Sequence, residues 1–194
     1  MKNLHLLSLI VFASSCGTNQ SEKKDAARQI LPKENIAGNA DTSGLRSTEE
    51  KRSDGSVVFS GSLYNGKKEG SWATYYNSGA LQTLTSYVED KKEGWYLEFG
   101  ENTNQVVKRI MYHNDQRNGE YKEFYYSTTK EQRFYQNGKQ EGVTTIFYDG
   151  GKRMEEGNYK NGLRDGISRW FDQNGQVTIQ YEYKEGVLVK KDKD

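Results

Sequence analysis

The chain has 194 residues, of which 33% are hydrophobic on a count that includes 14 tyrosines, together with 20 glycines and a single proline. This composition excludes a deep aliphatic core and favours sheet surface and tight turns over helix bundles. Lys plus Arg number 28 and Asp plus Glu 27, interspersed rather than blocked, so the basic stripe of a nucleic-acid-binding protein is missing and no nucleic-acid partner is expected. With one cysteine, Cys16, neither a disulfide framework nor a cysteine zinc cluster can form within one chain.

In chain order, residues 1–15 come first. Lys2 supplies a positive start, residues 6–13 form an apolar run broken only by Ser8, and Ala13, Ser14 and Ser15 place small side chains before Cys16. The run is too short to span a bilayer. This stretch resembles a bacterial lipoprotein signal with its lipobox, departing from the commonest pattern in having Ala13 where Leu is usual. The resemblance implies cleavage before Cys16, a lipid on Cys16, and a mature protein anchored to a membrane rather than inserted in it. Gly17 stands where some enteric bacteria use Asp to retain lipoproteins at the inner membrane, which makes the outer membrane of the cell envelope the expected address. Residues 16–54 are polar, without sustained periodicity, and are expected to form a flexible tether. Its one semi-helical patch, residues 24–30, is too short to stand alone in water. A tether of that length would reach about 30–35 Å.

From residue 55 to 190 the chain repeats itself. Gly70, Gly94, Gly119, Gly142 and Gly166 mark the frame at spacings of 24, 25, 23 and 24. Seven residues before each marker stand Leu63, Tyr87, Tyr112, Tyr135 and Tyr159, and five residues after stand Tyr75, Phe99, Phe124, Phe147 and Phe171. Asn-Gly pairs at Gly66, Gly138 and Gly162 are the dipeptide that type I′ hairpin turns favour, because both central residues need positive φ. A second turn follows at Ser78-Gly79, Gly150-Gly151 and Asn174-Gly175; residues 102–104 and 127–129 occupy that place without glycine and are expected to be looser. Each unit therefore reads as two short strands, and the units add to an all-β, elongated, single-layer antiparallel meander of five to six hairpins. A truncated sixth unit begins at Tyr183, and residues 191–194 form a charged tail. The column five after each marker is expected to form an aromatic ladder, and Lys190, Lys191, Asp192, Lys193 and Asp194 to blunt the C-terminal edge.

The frame Tyr-x-Asn-Gly-Lys-x-x-Gly, clearest at residues 135–142 and 159–166, is similar to the MORN repeat and most of all to its bacterial variant. The resemblance covers residues 61–189. Proteins built mainly from this variant are grouped as a YwqK-like antitoxin or immunity family, which implies hairpin arrays without a catalytic centre. Glu89-Asp90 and Asn114-Asp115 depart from the expected Asn-Gly, so those turns are expected to be the irregular ones.

No nucleophile-and-base motif, His-Glu-x-x-His pattern or phosphate loop occurs. His113 is the one histidine after the leader. The adjacent acids Glu89-Asp90 and Glu155-Glu156 fall on opposite faces of a strand or in a turn. No catalytic residue, metal or cofactor is assigned, and no enzyme is expected. The remaining candidates are strand aromatics, Trp72, Trp95, Tyr96, Tyr121 and Trp170, which can anchor a partner protein or stack on sugars. Residues 70–76 also resemble the choline- or glycan-binding repeats of cell-wall proteins, though those have a shorter period and lack the Asn-Gly-Lys-x-x-Gly turn. The expected function is a lipid-anchored envelope protein whose sheet binds a partner protein, in the sharpest form a toxin that acts in the envelope. The alternative is an envelope scaffold or glycan-binding surface protein.

Overall fold

The computed structural model describes residues 44–192, all within the compact unit Ala40–Asp194. The leader, Cys16 and the tether as far as residue 43 lie outside the described residues. The strands are β1 (Leu45–Lys51), β2 (Val57–Tyr64), β3 (Lys67–Tyr75), β4 (Leu81–Val88), β5 (Lys91–Phe99), β6 (Val106–His113), β7 (Gln116–Tyr125), β8 (Thr128–Gln136), β9 (Lys139–Gln140), β10 (Gly142–Phe147), β11 (Arg153–Lys160), β12 (Leu163–Phe171), β13 (Val177–Lys184) and β14 (Val187–Asp192). They form one antiparallel sheet in chain order, with the short β9 pairing β8 off the main path. No helix occurs among the described residues.

Two boundaries differ from the expectation. Residues 45–51, placed in the tether by their polarity, form β1 against β2. An edge strand needs only backbone partners on one side, so exposed Arg, Ser, Thr and Glu serve it as well as apolar residues would. At the other end β14 runs through Asp192, so Lys191 and Asp192 are strand residues rather than a tail.

All six first turns have one geometry. Asn65, Glu89, Asn114, Asn137, Asn161 and Glu185 take φ of 50, 48, 49, 47, 52 and 50°, and the residue after each is also positive. Glu89-Asp90 and Asn114-Asp115 are therefore regular type I′ turns, not irregular ones. Their left-handed strain is offset by bonds to the preceding repeat: Asp90 and Asp115 turn their carboxylates onto the N–H groups of Lys68 and Lys92, at 2.7 and 2.8 Å. At the other end of the sheet, Asn104 at φ 51° takes the place of glycine in a longer second turn. Tyr126 and Ser127, at φ 50 and 62°, make a two-residue turn tighter than its counterparts, since Tyr125 pairs directly with Thr128.

The marker glycines sit at bulges. Thr85 pairs with Tyr96 while Tyr87 pairs with Lys92, so the stretch around Gly94 is longer than the strand beside it. The same mismatch recurs around Gly119 and Gly166. The markers hold φ of 71, 90, 107, 74 and 100°, where a side chain would be strained. A second bulge precedes each second turn, as where Glu98 pairs with Lys108 but Phe99 with Val106.

Successive first turns are bonded to one another. The N–H groups of Asp90, Asp115, Gly138, Gly162 and Gly186 donate to the carbonyls of Lys68, Lys92, Arg117, Gln140 and Arg164 at 2.8–3.1 Å. The residue just before each marker adds a side-chain acceptor: Glu69 to the N–H of Glu89, Glu93 to Asn114, Asn118 to Asn137, Glu141 to Asn161 and Asp165 to Glu185, at 2.8–3.3 Å. At the opposite end, the Tyr76 and Tyr148 hydroxyls donate to the carbonyls of Phe99 and Phe171 at 2.9 and 2.7 Å, and Arg52 reaches that of Tyr75 at 3.0 Å.

Candidate binding surfaces

A single sheet has two faces, and direct pairing shows which residues share each. One face carries the row Trp72, Thr85, Tyr96, Ile110, Tyr121 and Arg133 across β3 to β8. Two residues along stand Tyr87, Tyr112 and Tyr135, and the rings meet edge-on or tilted: Trp72–Tyr87 at 6.3 Å, Tyr96–Tyr112 at 6.4 Å and Tyr121–Tyr135 at 6.1 Å. Phe59 stacks on Trp72 at 5.6 Å, and Trp170 meets Tyr181 at 5.4 Å. This is the spine of the sheet. The column five after each marker does not form it; Tyr75 lies on the other face, its hydroxyl 3.3 Å from Ser60, and Phe171 is covered by Arg153 at 4.9 Å.

A cation clasps each ring pair, two residues before the marker. Lys68 lies 4.5 and 4.9 Å from the Trp72 and Tyr87 rings, Lys92 5.8 and 5.0 Å from Tyr96 and Tyr112, and Arg117 5.5 and 5.3 Å from Tyr121 and Tyr135. Arg164 reaches Tyr159, Trp170 and Tyr183 at 5.3, 5.5 and 5.6 Å. Each such contact contributes about 0.5–1 kcal/mol at a half-exposed site. These cations were visible in the sequence as basic residues at fixed distance from the marker glycine, with Gln140 the exception in the fourth repeat.

Spine hydroxyls are committed to carboxylates. Tyr96 donates to Glu98 at 3.1 Å and Tyr121 donates to Glu123, while Lys108 bridges Glu98 and Glu123 at 3.5 and 3.6 Å. Burial, then the charge and hydrogen bond of Glu98, push the Tyr96 phenol up to about 12; burial and the hydrogen bond to Glu123 raise Tyr121 as well. Both phenols stay protonated in neutral solution and act as structural donors.

The opposite face is built differently. Its central row is Ala73, Leu84, Leu97, Arg109, Lys122 and Gln132, and the flanking row exposes Trp95 at 37%, Phe134 at 41%, Val143 at 41% and Ile167 at 36%. Between β5, β6 and β7 it opens into a cleft of about 600 Å³ lined by Trp95, Leu97, Gln105, Val106, Arg109, Phe124 and Ser127. The Arg109 guanidinium lies over the Trp95 ring with Cζ 5.0 Å from its centre, its Nη2 pairs with Glu120, and its buried Nε has no acceptor. Glu120 is shared with Lys122 at 2.7 Å. Burial works to raise the Glu120 carboxyl, but the hydrogen bonds from Lys122 and Arg109 outweigh it and hold it below its ordinary value.

Of the five aromatics singled out by sequence, Trp72, Tyr96, Tyr121 and Trp170 thus belong to the spine, and Trp95 stands apart on the other face. Trp72 is 8% exposed and donates its Nε1–H to the Ser62 carbonyl at 3.0 Å. Arg109 carried no sequence signal as a site residue; its position beside Trp95 depends on strand pairing. His113 sits at a first turn with Nδ1 2.8 Å from Glu93. Among the described residues no cluster of His, Cys, Asp and Glu could hold a metal ion, and no helix is long and apolar enough to cross a membrane.

Residues 140–161 and 164–185 match the MORN repeat variant family. Each matched segment spans one repeat of the geometry described above. A comparison with curated proteins gave no match. Among solved structures the chain is similar to S. aureus TarM, described as a crystal structure of TarM, with 18% identity and a TM-score of 0.35 over 57% of this chain and 21% of that one. A TarM point mutant in complex with Fondaparinux, alpha-GlcNAc-glycerol and UDP gives 18% identity and a TM-score of 0.36, with the same coverage. The chain spans about a fifth of the length of these structures.

Proposed function

We propose that this chain is a non-enzymatic binding module, lipid-anchored through Cys16 at the outer membrane of a bacterial cell, that holds a partner protein against the face opposite its aromatic spine. The observation that carries this is the line of exposed apolar groups Trp95, Phe134, Val143 and Ile167 on one face of a single-layer sheet, interrupted by Glu120 and Asn158, whereas the other face is largely covered by ring pairs and clasping cations. Apolar groups aligned in this way mark association surfaces. MORN-variant repeats support a repeat-built binding module, and the family resemblance supports the narrower form: the partner is a toxin acting in the envelope, neutralised by occlusion of its active surface.

The test is site-specific photocrosslinking in intact cells, with the crosslinker at Phe134 on the proposed face or at Thr83 on the spine face. One dominant protein adduct from Phe134 and none from Thr83 is the expected result. Adducts from Thr83 alone, or from neither position, would overturn the reading, and glycan recovered from Phe134 would replace the protein partner by a polysaccharide. A Cys16→Ala chain is expected to leave the membrane fraction.

A further inference from the structure

The repeats act as internal controls for one another. At the place of Trp95, one residue after the marker, the other units carry Ser71, Glu120, Val143 and Ile167. At the place of Arg109, opposite the third residue after the marker, they carry Leu84, Gln132, Glu156 and Gln180. Every one of these units keeps the same first turn and marker bulge, and only the second turns differ, longer after β5 and tighter after β7, so the first turn and the bulge need neither the tryptophan nor the arginine. The second unit alone combines them, and there the sheet surface opens into the cleft described above.

We propose that the Trp95–Arg109 cleft is an anchor pocket that seats one large apolar side chain of the partner, carried beside a carboxylate. This rests on the reading of the chain as a protein-binding module. The apolar half of the assignment follows from the lining: Trp95, Leu97, Val106 and Phe124 supply ring and aliphatic surface, and about 600 Å³ lies within the usual range for ligand clefts. The charged half follows from a local imbalance. Arg109 and Lys122 share the single carboxylate of Glu120, which leaves one positive charge in excess beside a guanidinium side chain that is 36% exposed. The other nearby acids do not supply the deficit. Glu98 and Glu123 lie on the spine face with Lys108 between them, and Asp149 pairs with Lys130. A guanidinium held over an indole and paired with Glu120 is a preorganised donor site for a carboxylate, because both contacts fix its position before the ligand arrives. Gln105 and Ser127 provide neutral hydrogen-bonding groups in the same lining.

The test uses the full-length chain carrying Cys16→Ala in mild detergent, with the three indole N–H resonances followed by NMR. The probes are the capped dipeptides Ac-Phe-Glu-NH2, Ac-Phe-Lys-NH2 and Ac-Ala-Glu-NH2. The Trp95 indole is expected to move saturably with Ac-Phe-Glu-NH2 and at least about tenfold more weakly with either control, while Trp72 and Trp170 stay still. Arg109→Gln is expected to abolish the preference for Glu over Lys without disturbing the other two indoles. Equal response to Glu and Lys peptides, or no response of Trp95, overturns the assignment. In the crosslinking experiment, Trp95→Ser and Arg109→Gln are each expected to lower adduct yield sharply, as befits residues whose loss weakens binding about 30-fold or more. An unchanged yield from both variants sinks the pocket and leaves the binding module standing; no adduct from the parent chain sinks the module, and the peptide titration then decides the pocket by itself. If Trp95→Ser instead converts a sedimenting dimer to monomer, the cleft is filled by a second copy of this chain and the proposal is wrong.

Discussion

Gly61 offers a direct test of how the spine is held. A Cβ built there would fall 2.3, 2.5 and 2.7 Å from Cδ2, Cε2 and Cγ of Trp72, well inside contact distance, so Gly61→Ala can be accommodated only by expelling the indole. That ring is 8% exposed, stacks on Phe59, meets Tyr87 edge-on, lies under Lys68 and donates to Ser62. Losing a buried tryptophan of this kind costs about 3–5 kcal/mol. Gly66→Ala is the control, since Gly66 has φ 82° and nothing within 4 Å of a built Cβ; backbone strain alone costs about 1–2 kcal/mol. In a Trp72→Ala background the Gly61 substitution is expected to be near neutral, so the cycle should return a coupling close to the full cost of losing the indole. Repeat arrays need not unfold as one unit, so the assay of choice is hydrogen exchange resolved by strand alongside urea unfolding. Exchange is expected to rise in β2, β3 and β4 and to stay unchanged in β11, β12 and β13. Equal losses for Gly61→Ala and Gly66→Ala, or a Gly61→Ala effect that persists without Trp72, would falsify the account.

Trp95→Ala is expected to cost about 1–2 kcal/mol, clearly less than Trp72→Ala, because the Trp95 ring is 37% exposed and loses chiefly its contact with Arg109; matched urea titrations of the two variants check this. A pH dependence follows from the exposed turn carboxylates. His113 and the Asn114 N–H hold the Glu93 carboxyl below its ordinary 4.5, and the backbone N–H of Glu185, with Lys184, holds Asp165 below 3.8. A lowered folded value means the contribution is present above the unfolded value and is lost as pH falls through the folded one. The array is therefore expected to keep its stability from neutrality down to about pH 5 and to lose it below about pH 4, with Glu93→Gln removing part of that slope in an acid titration followed by circular dichroism. For Tyr96 the sign is reversed: its raised phenol value, about 12 against an ordinary 10.0, gives stability that is full below 10 and lost as pH rises towards 12. Difference absorbance of the parent chain and Tyr96→Phe is expected to show one phenolate forming late. Finally, Glu141→Ala removes the acceptor for the Asn161 N–H and is expected to speed exchange of that amide about fivefold or more, as loss of one hydrogen bond near 1 kcal/mol predicts.

Much of this fold was legible in the chain because the repeat states each instruction several times. The Asn-Gly pairs announce left-handed turns, and the markers recur at a fixed spacing whatever surrounds them. Glu89-Asp90 and Asn114-Asp115 are not legible as regular turns, because the bonds that hold them come from the preceding repeat rather than from their own residue types; Tyr126-Ser127 carries neither the Asn nor the Gly that marks such a turn. The column five after each marker is not the spine, for a related reason. Simple alternation fixes faces within one strand, but the bulge before each second turn shifts the count by one, so that Phe99 pairs with Val106 at an odd separation and Glu98 with Lys108 at an even one. Trp95 was visible as an aromatic on a strand; that it faces away from Trp72, and that Arg109 lies beside it, depends on register. β1 leaves no mark in the sequence because an edge strand is stabilised by backbone pairing and needs no apolar pattern.

The strands at the two edges are of the same kind. β1 leads into a second turn and β14 follows a first turn, so both occupy the place of β3, β5 and β12 in the repeat. Removing or inserting one whole hairpin would leave both edges chemically unchanged and would break no contact other than those that the neighbouring units can make again. The array is in this sense a ruler whose graduations are interchangeable: its length can change by whole hairpins without exposing a new kind of edge.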